Sequence, residues 1–162
     1  MNGKSPIRPT DAEARKLARE LLDTARHGAL GVSDPEDGTP MVTRVAVGTD
    51  IEGTPVTLVS DLSHHTRALT LAPMCSLLLG EPGSKGDPLV HPRITLQCRA
   101  NFVGRDSEDH IAMRERFLVS HPKAKLYIDF ADFGFVRFSI LRAYLNGGFG
   151  KAFHLTPDDF GN

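Results

Sequence analysis

The chain has 162 residues, 40% of them hydrophobic and 24% charged, which permits one packed domain and excludes global disorder. Lys and Arg total 19 against 20 Asp and Glu, so the net charge is -1, without the basic excess of a dedicated nucleic-acid binder. No apolar run nears the roughly 20 residues of a membrane span, no apolar leader follows Met1-Asn2-Gly3-Lys4-Ser5-Pro6, and Cys75 and Cys98 form neither a disulfide framework nor a zinc spacing. These features lead to the expectation of a soluble, cytoplasmic, single-domain protein over residues 1–162 with both thiols reduced.

The first predicted element is a helix over about residues 11–27. Thr10-Asp11-Ala12-Glu13 reads as a capping box, Ala14, Leu17, Ala18, Leu21, Leu22 and Ala25 recur at helical spacing, and Gly28 offers a left-handed stop. Strands at 29–33 and 41–47 flank the turn sequence Asp34-Pro35-Glu36-Asp37-Gly38 and form a hairpin. A strand at 56–60 leads into a short helix from about His64 to Leu71, stopped by Pro73. Strands follow at 76–80 and 94–103, separated by a Gly- and Pro-rich surface loop from Gly80 to Pro92. The second long helix runs from Ser107 to about Ser120, with Ile111, Phe117 and Leu118 inward and His121-Pro122 at its end. Strands at 134–145 and 149–155 close the chain, joined by a tight turn at Gly147-Gly148-Phe149-Gly150. Consecutive antiparallel-capable strands favour a small barrel with covering helices over a Rossmann sheet.

The segment from Leu58 to Leu69 carries the most chemistry. A buried strand ends in hydroxyls and imidazoles and enters a helix, whose free amide hydrogens and positive dipole end suit a phosphate. Ser60 and Thr66 add hydroxyls, and Arg67 adds a forked permanent charge. Arg44, in the otherwise small or apolar strand Met41-Val42-Thr43-Arg44-Val45-Ala46-Val47, is solvated, paired or used. Two readings stand here: plain N-capping with solvated arginines, or a two-arginine phosphate clamp. No catalytic nucleophile, no Walker A loop and no metal-ligand spacing is readable, so catalytic residues stay unassigned and no metal site is expected.

Taken together, Thr43-Arg44-Val45-Ala46-Val47, Leu58-Val59-Ser60, His65-Thr66-Arg67-Ala68-Leu69, Pro73-Met74-Cys75-Ser76-Leu77-Leu78, Pro92-Arg93-Ile94-Thr95-Leu96-Gln97 and Leu145-Asn146-Gly147-Gly148-Phe149-Gly150-Lys151-Ala152 resemble the pyridoxamine 5′-phosphate oxidase-like FMN-binding split-barrel superfamily, in its haem-utilisation, HugZ-like branch. The resemblance spans nearly the whole chain from the first helix. It implies a mainly β fold with flanking helices, a six-stranded antiparallel split β-barrel, assembled as a homodimer with cofactor sites at the interface. It places Arg44, Val45 and Ala46 at the FMN phosphate and flavin edge. Ser60 falls beside the flavin, His65, Thr66 and Arg67 in the phosphate-binding segment, and Arg93 near the isoalloxazine ring. The chain departs from the oxidase at Ala46-Val47-Gly48-Thr49, where the family continues through leucines to a lysine, and it has no Trp. Those departures argue against vitamin B6 oxidation itself. The leading expectation is an FMN-dependent oxidoreductase acting on a small molecule. Haem binding and degradation is the alternative, with no axial histidine identifiable from sequence, and a non-catalytic binding dimer is a third.

Overall fold

The computed structural model of the protein describes residues 5–161. Part of the Met1–Pro6 segment and both extreme ends of the 1–162 span lie outside them. Among the described residues nine strands form one sheet: β1 (Ile7–Arg8), β2 (His27–Ser33), β3 (Pro40–Ala46), β4 (Gly48–Thr49), β5 (Pro55–Ser60), β6 (Met74–Leu79), β7 (Arg93–Phe102), β8 (Phe133–Asn146) and β9 (Ala152–Leu155). The helices are α1 (Ala12–Thr24), α2 (His64–Leu71) and α3 (Glu108–Ser120). The main order is β1-β9-β8-β7-β6-β2-β3, with β5 on β8 and β4 on β5.

Six strands of six or more residues, β2, β3, β5, β6, β7 and β8, make the antiparallel frame of a split β-barrel. Alternation sets which side chains enter it. Leu30 and Val32 of β2, Leu77 and Leu79 of β6, and Ile94 and Leu96 of β7 point inward and are buried. α1 packs Ala14, Ala18 and Leu22 on this interior. A second core joins Val56, Leu58 and Phe135 to Met113 and Phe117 of α3 and to Ala124 and Ile128 behind it. β5 is therefore covered on both faces, which is why it reads as a nearly continuous buried run.

Several local expectations change. The cap of α1 is Asp11, whose carboxylate accepts the Ala14 N–H at 2.8 Å, while the Thr10 hydroxyl donates to the carbonyl of His154. Gly28 is no helix stop: α1 ends in extended backbone at Ala25, and Gly28 sits in β2, where an added Cβ would come 2.7 Å from Leu79 Cδ2. Ile111 faces water and Met113 takes its place beside Phe117. The last strand begins at Ala152, because Phe149 stands exposed in the turn closed by Lys151 N–H on Gly148 O. The Asp34–Gly38 turn joins β2 to β3 as a hairpin, with Gly38 at φ 78°. Phe135 and Phe138 are wholly buried within this one chain, so they offer no exposed apolar face to a partner. No helix among the described residues is long and apolar enough to cross a membrane.

Candidate functional site: the split between β3 and β5

β4 pairs with the start of β5 through Gly48–Val56 and Thr49–Pro55, and the chain before it then bends away as β3. The buried Thr57 hydroxyl donates to the carbonyl of Ala46 at 2.6 Å across the opening. Beyond that bond β3 pairs only with β2, and Leu58–Ser60 of β5 pair only with β8. The two free edges diverge and leave a groove of about 250 Å³. Arg44, Val45 and Ala46 line one side and Leu58, Val59 and Ser60 the other. Ser63 and His65 come from the start of α2, and Tyr127 and Phe133 close the remaining wall, their rings 5.0 Å apart.

His65 is half-buried, with Nδ1 3.1 Å from the Thr43 hydroxyl. Burial pushes its pKa below the ordinary imidazole value, and the neighbouring His64 pushes it the same way. Both effects favour the neutral ring. In the tautomer that carries its proton on Nδ1 and donates it to Thr43, Nε2 presents a lone pair that no protein group among the described residues takes up. A neutral imidazole fixed through its other nitrogen is the arrangement of a metal-binding histidine.

The structure brings together Arg44, Val45, Ala46, Ser60 and His65 of the eight residues singled out from sequence. Arg44 is exposed at the rim and makes no ion pair among the described residues. The Ser60 hydroxyl donates to Asp132 Oδ2 at 2.6 Å and accepts the Leu62 N–H. Thr66 is buried, and its hydroxyl donates to the carbonyl of Ser60 at 2.6 Å. Both hydroxyl protons are therefore spent inside the protein, contrary to their reading as phosphate donors.

Arg67 is exposed and does not line the groove. Its charge acts on Asp34, whose carboxyl is held below the usual range chiefly by the Glu36 N–H and by His64 at 3.0 Å. Arg93 donates to the carbonyls of Leu89 and His91 at the far side of the sheet, so it ties down the 80–92 loop. Leu58, Val59, Ser63, Tyr127 and Phe133 were not anticipated as site residues. Tyr127 and Phe133 come from a segment remote in sequence, which no local motif announces. No cluster of three His, Cys, Asp or Glu able to hold a bare metal ion occurs among the described residues.

The family described as "CREG, beta-barrel" matches residues 9–162. The chain belongs to the CREG β-barrel family. Among curated relatives, this CREG β-barrel chain is 37% identical over 120 residues to the non-canonical heme oxygenase HOZ, chloroplastic, of Arabidopsis thaliana. That match covers 74% of this chain and 36% of the relative, so the chain spans about a third of that protein's length. A solved heme binding protein from Mycobacterium smegmatis is 30% identical with a TM-score of 0.83, covering 95% of this chain and 61% of that one. A pyridoxinephosphate oxidase family protein from Clostridium acetobutylicum is 14% identical with a TM-score of 0.69, covering 93% of this chain and 99% of that one. This last likeness shows the fold alone: the chain has the split-barrel fold of the pyridoxine-phosphate oxidase-like proteins.

Proposed function

We propose that the chain binds haem in the split between β3 and β5 and serves its oxidative breakdown. The observation that carries this reading is His65, its Nδ1 3.1 Å from the Thr43 hydroxyl and its pKa lowered by burial, lining a groove whose other walls are mostly apolar. In this reading His65 Nε2 holds the iron, and Thr43 orients the ring. Arg44, free at the rim, pairs with a porphyrin carboxylate. Val45, Leu58 and Phe133 keep water from the macrocycle. The haem, when bound, supplies the iron that activates oxygen. The named activity of the plant relative and the named ligand of the mycobacterial protein support the same reading.

FMN-dependent oxidoreduction of a small molecule is the second reading. It is favoured by unpaired Arg44 and by Ser63, whose hydroxyl caps no amide at the start of α2. Against it, a phosphate here would find the Ser60 and Thr66 protons already committed and the Asp132 carboxylate close behind Ser60. The visible spectrum of freshly purified protein separates the two: a strong Soret band supports haem, and flavin bands in its place contradict it.

A homodimer is also proposed, through the outer faces of three strands. The outer faces of β3, β2 and β6 carry small Gly31 and Ser76 between exposed Val42, Met74 and Leu78, and no helix among the described residues covers them. A second copy on this face would bury them. Light scattering is expected to give twice the 17.7 kDa chain mass, and a single-chain mass at all concentrations contradicts it. The two buried free thiols suit a reducing, cytoplasm-like compartment.

A further inference from the structure

The aromatic wall of the groove continues past the groove itself. Tyr127 and Phe133 line the cavity, and Phe130 stands beside Phe133, edge to face, with ring centroids 6.3 Å apart. Phe130 is 57% exposed, although a phenyl ring gains from leaving water. It is not on a loose strand of chain. Its N–H donates to the Tyr127 carbonyl at 2.9 Å, and its own carbonyl accepts the Phe133 N–H at 3.0 Å. Two consecutive turns thus set the three rings in series, one end inside the groove and the other outside it.

The groove is small for its proposed occupant. At about 250 Å³ it falls below the roughly 300–1,000 Å³ of pockets that enclose a ligand. A macrocycle seated at His65 therefore projects from it, and the aromatic series supplies apolar surface outside the cavity. We infer that Phe130, with Tyr127 and Phe133, is a platform for the projecting part of a flat tetrapyrrole. It makes the site prefer the closed, planar ring over an opened, non-planar chain. This inference rests on the haem reading and adds a specificity-determining residue to it. The physical reason is geometric: the three rings are fixed but inclined at 43° and 77° to one another, so touching all of them needs a rigid occupant held at one angle, whereas a twisted open chain loses contact with the outermost first.

Titration of hemin and of biliverdin, a linear tetrapyrrole, into wild type, Phe130→Ala and Phe130→Leu tests it. Because Phe130 is exposed, both variants are expected to keep the wild-type far-UV circular dichroism. Phe130→Ala should bind hemin at least tenfold more weakly, with biliverdin changed less than twofold. Phe130→Leu should fall between the two proteins, because it restores apolar area without a flat face. The Soret position stays that of wild type, since His65 is untouched. Hemin affinity within twofold of wild type in Phe130→Ala, or equal losses for hemin and biliverdin, overturns the platform while leaving the haem reading intact. Wild-type protein that binds no hemin overturns both.

Discussion

Thr57 is the side chain whose loss should open the split most directly. It is 0% exposed, and its hydroxyl donates to Ala46 O at 2.6 Å, at the point where β3 leaves β5. Thr57→Val keeps the volume and removes the donor, so a buried carbonyl loses that partner. Such a loss costs about 1–3 kcal/mol. At about 2–4 °C per kcal/mol for a chain of this size, the Tm should fall by about 2–12 °C. Thr57→Ser keeps the hydroxyl and gives up one methyl, at about 1 kcal/mol. The separating assay is therefore hemin affinity beside urea unfolding followed by circular dichroism. The valine variant should lose both stability and affinity, whereas the serine variant should keep its affinity within about twofold, since the bridge that sets the groove survives. A valine variant as stable as wild type, with unchanged affinity, would refute the view that this hydrogen bond holds the groove in shape.

Two further outcomes follow from groups with shifted ionisation. Cys75 and Cys98 face each other across β6 and β7, and burial pushes the Cys75 thiol up to about 12 and the Cys98 thiol higher still. At pH 8 a thiol reagent should label neither residue in native protein and both after denaturation; rapid native labelling would contradict this burial. His65 is depressed in the folded state from the ordinary 6.5, so between its folded pKa and 6.5 the unfolded chain binds more protons. Stability is thus fully present above about pH 6.5 and declines as pH falls through this window. Urea midpoints at pH 7.5 and 5.5 should show a larger loss for wild type than for His65→Gln, and equal losses would refute the assignment.

Much of the frame was legible because strand alternation is a local signal. The buried Cys75, Leu77 and Leu79 of β6 and the Asp34–Gly38 turn declared themselves within a few residues. β1 and β4 did not: each has two residues, and each exists only because β9 or β5 lies beside it. Ile111 is apolar and reads as inward, yet six positions from Phe117 is about 240° around a helix, away from the face that Met113 and Phe117 share. Thr10 and Asp11 are both good caps in adjacent positions, and only the path of the chain toward β9 decides between them. The site divides in the same way. Arg44 and His65 stood out as polar groups beside a buried strand. Sequence counts hydroxyls without revealing where their protons go: Ser60 donates to Asp132, and Thr66 donates to the backbone carbonyl of Ser60. Tyr127 and Phe133 reach the groove through the fold alone.

The most direct test of the account is a Soret titration of hemin into wild type and His65→Ala, with FMN titrated into the same proteins by fluorescence. Haem held by His65 predicts saturable hemin binding by wild type and a histidine-type ferric spectrum. The alanine variant should bind at least about tenfold more weakly, about 1.4 kcal/mol, with an altered Soret band. FMN should bind both proteins weakly and alike. Hemin affinity and spectrum unchanged by the loss of His65, or tight FMN binding with none for hemin, would contradict it.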